Sequence, residues 1–409
     1  MIMKDKNVLD RVCENFIKNT MDFYDIPGIA VGVYAGGVEQ KDAEGTPYFF
    51  TGAGGYRNYE TKSAVQPETV FHCTSVSKLF TAMGIMRLVE DGKLSLSDHL
   101  VDALPYLSIA DERWANITVE SLLTHTSGMT DVSDYHWEEH RIDNSALKEY
   151  ALSDEVSCRK LLWDPAVMEA DTSDSRIGRF RYSSLAYDLL GLVIGEVSGL
   201  SFEEFMEREI FKPLGMDDTT FFTFGRISEL NEEVPECKRD CEDILKAIDE
   251  AGLAMPHYKG RDRVIHLEKA YPYTRQHAPS STLTSTTGDL LKWAAALMKR
   301  APLHEDPEES QSAPLHEKTV QDMWESRVSV PDTGEKMGLG WFIRKQSVTA
   351  ADGEAYEYTL VGHEGSDDGF RTSFWMCPEL GIATALLCNL TDAPLKKLNK
   401  QLLKMVAES

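Results

Sequence analysis

A chain of 409 residues, 42% of them hydrophobic, holds enough apolar material for a large core and is long enough for two or three structural units. Its 67 acidic residues against 42 basic ones give a net charge of −25, which repels phosphate backbones and anionic bilayers, so neither nucleic acid nor a membrane is an expected partner. Seven scattered cysteines (13, 73, 158, 237, 241, 377 and 388), a start (MIMKDKNVLDRVCENF) without a secretory pattern and no apolar run near the roughly 20 residues of a membrane span together predict a cytoplasmic protein with reduced thiols.

In chain order, Leu9, Val12, Phe16 and Ile17 recur at helical spacing, and IPGIAVGVY reads as a strand. The glycines of FTGAGGYRN do not match the G-x-G-x-x-G spacing of a dinucleotide loop and predict a strand or hairpin instead. From Ser75 to Glu90 the apolar positions Leu79, Met83, Met86 and Val89 predict a helix, with Gly92 as its left-handed cap. Further helix starts are read at Thr118, at Ser184 before an apolar run that ends at Gly199, and at the capping box Ser201 to Glu204. Beyond residue 338, GLGWFIRK, YEYTLVG, FRTSFWMC and GIATALLCNL predict an antiparallel meander, followed by a helix from Leu395 to Val406. Two stretches read as excursions, the charge-rich 230–262 and the acidic, Pro-containing 301–318, which repeats APLHE and is expected as a solvated loop; the Cys237-x3-Cys241 pair has no second pair at zinc-site spacing.

The stretch FHCTSVSKLF sets Ser75 three residues before Lys78. A serine hydroxyl needs an adjacent base to become a nucleophile, and positions i and i+3 share a helix face. A lysine serves as that base only when neutral, which burial among apolar residues promotes. Two other Ser-x-x-Lys matches, Ser145 to Lys148 and Ser157 to Lys160, lie in charged, weakly periodic sequence and read as surface helix. The pair alone leaves open whether Ser75 and Lys78 are reactive or only neighbours. Tyr182, ahead of a long apolar helix, is either a proton shuttle or a core tyrosine, and His363, between a strand and Gly365, is either a pocket residue or a structural one.

Taken together, SVSK, YSS and HEG resemble the three motifs of the serine β-lactamase and penicillin-binding protein superfamily, in its class C β-lactamase-related branch of D-Ala-D-Ala carboxypeptidases, D-aminopeptidases and esterases. IPGIAVGVY, LLTHTSGM, IFKPLGMDDTTF, STTGDLLKWAAALM and GLGW extend the similarity over essentially the whole chain. The resemblance implies an α+β fold of the β-lactamase/DD-peptidase type: an antiparallel sheet flanked by terminal helices, with a mostly helical inserted domain. The expected division is 1–74 with 285–409 as an α/β domain and 75–284 as a helical domain, the active site lying between them. It also implies that Ser75 is acylated, that Lys78 and Tyr182 share the proton transfers, and that the backbone N–H groups of Ser75 and Ser366 hold the oxyanion. Ser184, His363 and Gly365 would bind substrate, a small molecule or short peptide, with no metal or organic cofactor. His125 in LLTHTSG reads as structural.

The sequence departs from the family pattern in three places. Ser184 stands where an asparagine is usual, the segment after Pro165 is longer than the usual turn, and PSSTLTSTTGD carries serines where relatives have glycines. Two expectations follow: a serine hydrolase acting on an ester or amide through an acyl-enzyme, or a penicillin-binding-like homologue that keeps the pocket without turnover.

Overall fold

The computed structural model of the chain describes residues 6–36, 46–107, 109–166, 180–227, 240–298, 315–349 and 355–408. The frame consists of helices α1 (Lys6–Tyr24), α2 (Ser77–Glu90), α3 (Ser184–Ser198), α4 (Thr287–Leu297) and α5 (Leu395–Glu408). Between them runs a nine-stranded sheet: β1 (Gly28–Ala35), β2 (Tyr48–Asn58), β3 (Ser63–Ala64), β4 (Val328–Ser329), β5 (Lys336–Met337), β6 (Phe342–Thr349), β7 (Ala355–Asp367), β8 (Phe370–Cys377) and β9 (Ile382–Cys388). Every neighbouring pair in the order β3-β2-β1-β9-β8-β7-β6-β5-β4 is antiparallel. The predicted meander is therefore present, and the first strand joins it at the sheet centre, with Ile29 opposite Cys388 and Ala35 opposite Ile382.

Both faces of the sheet are covered, which explains why its central strands are apolar throughout rather than alternating. Ile29, Val31 and Val33 pack with α1 and α5 through Leu9, Phe16, Leu398, Leu402 and Val406. Ala30 and Tyr34 face the other way, into the larger core that holds α2, α3 and α4. Each of these leucines, taken wholly out of water, contributes about 1.5–3 kcal/mol. The glycines of FTGAGGYRN lie in β2, as expected, and they serve packing: a Cβ on Gly54 would stand 2.4 Å from Met21 Sδ on α1.

The helix signals hold with small shifts. α2 begins at Ser77, two residues later than its spacing predicts, because Thr74–Val76 form a 3-10 turn. Its end is as expected: Gly92 has φ +67°, and the N–H groups of Gly92 and Lys93 close on Val89 and Leu88. Ser183, not Ser184, caps α3, its hydroxyl accepting from Ala186 N–H, and Gly199 closes the far end with φ +73°. Thr118 and the Ser201–Glu204 box cap their helices as read. The described part of the 230–262 excursion contains a helix, Cys241–Glu250, and the strand His257–Lys259, which pairs with Ile265–Leu267 just beyond it. Cys237, most of the segment after Pro165 and residues 301–314 lie outside the described residues.

Candidate active site

The 3-10 turn Thr74–Val76 presents Ser75 against the outer end of β7, and Gly365 makes that approach possible. A Cβ on Gly365 would lie 1.6 Å from Thr74 Oγ1 and 3.1 Å from the Cys73 carbonyl, so no side chain fits there without moving the turn. Thr74 itself has φ +51°. A β-branched residue in the left-handed region is strained, and such strain persists only where the surroundings over-determine it.

Lys78 is fully buried in the first turn of α2, its Nζ 3.1 Å from Ser75 Oγ and 2.8 Å from the Ser280 carbonyl, to which it donates. Burial pushes its pKa down to about 8, although Asp131, Asp188 and Asp367 oppose that shift from a distance. About one Lys78 in ten is then neutral at pH 7. Tyr182 shares a hydrogen bond with Ser75, and its ring centroid lies 5.0 Å from Lys78 Nζ. Burial raises the phenol above its ordinary value, so Tyr182 stays protonated at neutral pH. A hydroxyl, a phenol and a partly neutral amine thus form one hydrogen-bonded set, which is what a serine oxygen needs to shed its proton.

The set opens on a cleft of about 1180 Å³ whose lining includes Ser75, Asp131, Tyr135, Tyr182, His363, Gly365 and Ser366. His363 is buried in β7. Its Nδ1–H donates to the Glu364 carbonyl and its Nε2 has no partner among the described residues. Burial and the charge of Lys78 push its pKa down to about 3, so the ring is neutral. Ser366 stands one residue before the end of β7, four residues beyond Gly362 where the pairing with β6 stops, and opposite Arg371 of β8.

Ser184 is placed differently from its expected substrate contact. It is wholly buried and absent from the cleft wall, its Oγ accepting from Tyr135 O–H at 2.6 Å and its N–H donating to Asp131 Oδ1 at 2.6 Å. Tyr135 and Asp131 face the cleft in front of it. Neither was legible in the sequence, because both lie in the irregular stretch between Ser127 and Trp137 where no periodicity marks a facing side. His125 is buried behind Tyr182, rings 4.5 Å apart, and its Nδ1 accepts from Ser183 N–H. It supports the tyrosine without reaching the cleft. The rival pair Ser145 and Lys148 does not assemble: Ser145 Oγ bonds to Asp143 and Glu149, while Lys148 turns to Glu196.

The family model Beta-lactamase matches residues 13–407. The chain belongs to the Beta-lactamase family. Among solved structures it resembles the octameric penicillin-binding protein homologue from Pyrococcus abyssi, at 25% identity and TM-score 0.70 over 97% of this chain and 77% of that one. It also resembles the D-amino acid amidase from Ochrobactrum anthropi SV3, at 18% identity and TM-score 0.70 over 98% and 99% of the two chains, a likeness of fold alone. A curated relative, Protein flp of Staphylococcus aureus (strain MRSA252), is 27% identical over 349 residues, 85% of this chain. The chain spans 58% of that relative's length. Membership of the Beta-lactamase family supports activity of the serine hydrolase type in general. Among the described residues no group of His, Cys, Asp and Glu is arranged to hold a metal ion, and no single helix is long and apolar enough to cross a membrane.

Proposed function

We propose that this Beta-lactamase-family protein is a serine hydrolase that opens a small ester, amide or D-amino-acid peptide through an acyl-enzyme on Ser75. The observation that carries the reading is the 3.1 Å contact between Ser75 Oγ and a buried Lys78 whose pKa has fallen to about 8. Lys78 takes the hydroxyl proton as Ser75 attacks the carbonyl, and Tyr182 relays it to the leaving group. The oxyanion is received by the N–H groups of Ser75 and Ser366, a donor of this kind being worth about 3–4 kcal/mol in the transition state. His363 and Gly365 shape the wall, and water then releases the acyl group. We further propose the division into 1–74 with 285–409 and 75–284, since Ser75, Lys78 and Tyr182 come from one part and His363 and Ser366 from the other.

Ser184 favours a second reading. With its hydroxyl engaged by Tyr135, it leaves the cleft without the side-chain amide the motif usually offers, which suits a homologue that is acylated and turns over poorly. One experiment separates them. A fluorophosphonate probe and a labelled penicillin are applied to the wild type and to Ser75→Ala, with turnover of p-nitrophenyl esters, D-amino-acid amides and a chromogenic cephalosporin measured in parallel. Labelling and turnover that both vanish in Ser75→Ala support the hydrolase. Labelling without turnover supports the binding homologue, and labelling that survives in Ser75→Ala removes the site assignment.

A further inference from the structure

Asp367 ends β7 one residue beyond Ser366, and its side chain is 4% exposed. Its Oδ2 accepts two hydrogen bonds, from His72 Nε2 at 2.8 Å and from the Ser281 hydroxyl. A carboxylate only accepts, so His72 carries a hydrogen on Nε2. The other ring nitrogen, Nδ1, has no partner among the described residues, and the ring packs against Phe370 and Tyr271, with centroids 5.4 and 6.1 Å away. The histidine is thus enclosed by aromatic side chains and turned toward the carboxylate. Hydrogen bonds to an ionised group are short and about twice as strong as neutral ones, so two of them on one oxygen fix its neighbours closely.

Each of the three segments joined at this oxygen delivers one part of the site. His72 ends the short strand Phe71–His72, three residues before Ser75, with the strained Thr74 between them. Gly365 presses on that turn from one side, and the bond to His72 anchors the strand that leads into it. Ser281 ends the short helix Ala278–Ser281, in which the Ser280 carbonyl accepts from Lys78 and the Pro279 carbonyl accepts from Thr81 on α2. Asp367 itself follows Ser366, the proposed oxyanion donor. Ser281 is wholly buried and absent from the cleft wall, so its hydroxyl serves Asp367 and not a substrate. It is one of the serines of PSSTLTSTTGD that stand where relatives have glycines, which have no hydroxyl to donate.

We propose that Asp367 is a positioning residue of the acylation site, which through His72 and Ser281 holds Ser75, the Ser280 carbonyl and the Ser366 N–H in register for attack. The proposal deepens the hydrolase reading and rests on it for the acylation step. Its signature is a loss in the rate of attack on a bound molecule, with binding of that molecule unchanged.

The test follows labelling of Ser75 by a fluorophosphonate, in which the serine oxygen bonds to phosphorus, fluoride leaves and the hydroxyl proton passes to Lys78. Rates are measured at pH 9.5, above the Lys78 pKa of about 8; the Asp367 charge holds that pKa up, so the amine is neutral there with or without it. No turnover is required, so the test serves either reading of Ser184. Asp367→Ala lowers the maximal labelling rate about a hundredfold, the usual cost of a small displacement of reacting groups, and leaves the half-saturating probe concentration in place. Asp367→Asn, which keeps an accepting oxygen and loses the charge, recovers about tenfold of that loss. Ser281→Ala alone lowers the rate about tenfold, and in the Asp367→Ala background it adds nothing, because both act through one oxygen. If Asp367→Ala does not fold, Ser281→Ala decides, and a wild-type rate in that variant overturns the proposal. Equal losses in Asp367→Ala and Asp367→Asn, or a loss in half-saturation and not in rate, overturns it as well. A wild type that the probe does not label overturns the hydrolase reading, and the positioning role with it.

Discussion

At the scale of single residues the decisive quantity is the protonation of Lys78. Its pKa of about 8, against an ordinary value of 10.5, arises from burial, and neighbouring His363 at about 3 stays neutral throughout the working range. Attack by Ser75 needs the neutral amine, so acylation is expected to rise with pH through about 8 and then level off, as read from kcat/KM for an ester between pH 6 and 10. A profile flat across that window shows that another group is the base. Lys78→Met is expected to lower acylation about 10²–10⁴-fold, the usual contribution of a general base. The same burial sets a stability effect of defined sign. Because the folded-state pKa lies below the unfolded one, the folded protein binds the proton less tightly, and stability falls as pH drops from about 10.5 through 8. Below that window the buried ammonium costs up to about 3 kcal/mol at 1.36 kcal/mol per pKa unit, offset in part by its bond to the Ser280 carbonyl. Lys78→Met is therefore expected to resist urea better than the wild type at pH 6, with the advantage shrinking above pH 10. An advantage independent of pH would mean that packing alone is responsible.

At the scale of elements, the site depends on how closely the 3-10 turn meets β7. Gly365→Ala forces its new methyl into Thr74 Oγ1 at 1.6 Å, and the turn must retreat with Ser75 on it. Displacements of about an ångström at reacting groups cost on the order of a hundredfold in rate. The expected result is a loss of that order in kcat with the fold kept, and partial recovery in Thr74→Ala/Gly365→Ala, since the next contacts are 3.0 and 3.1 Å. Additive losses in the double variant would show that the two positions do not share one space. This contact explains why the motif was legible and its neighbours were not. Ser75, Lys78 and Gly365 carry fixed roles that restrict residue type, and helical spacing betrays the first two. Asp367 sits at an ordinary strand end with no spacing signal, and only its place beside His72 and Ser281 gives it meaning. Tyr135 and Asp131 are likewise set by loop geometry, which periodicity does not encode.

At the scale of the whole molecule, local patterning revealed α1, the meander and α5, but not that β1 pairs with β9. Continuous apolar strands are compatible with any neighbour, so the order of the sheet follows from packing across the chain and not from any single segment. That closure has a consequence for folding. Leu402, fully buried on α5, lies in one cluster with Leu9 and Phe16 of α1 and Ile29, Val31 and Leu386 of the central strands. Trp375 belongs to that cluster, whereas Trp293 and Trp341 belong to the opposite one. Leu402→Ala leaves a cavity and is expected to destabilise by about 2–5 kcal/mol. Because β1 and β9 carry side chains into both clusters, loosening α5 weakens the two together, and the transition remains cooperative. Urea unfolding followed by far-UV circular dichroism and by tryptophan fluorescence should therefore move to lower denaturant by the same amount. Separated transitions, with fluorescence retained after the sheet signal is lost, would show that the helical region stands without the sheet, and that the central pairing of the first and last strands does not hold the molecule together.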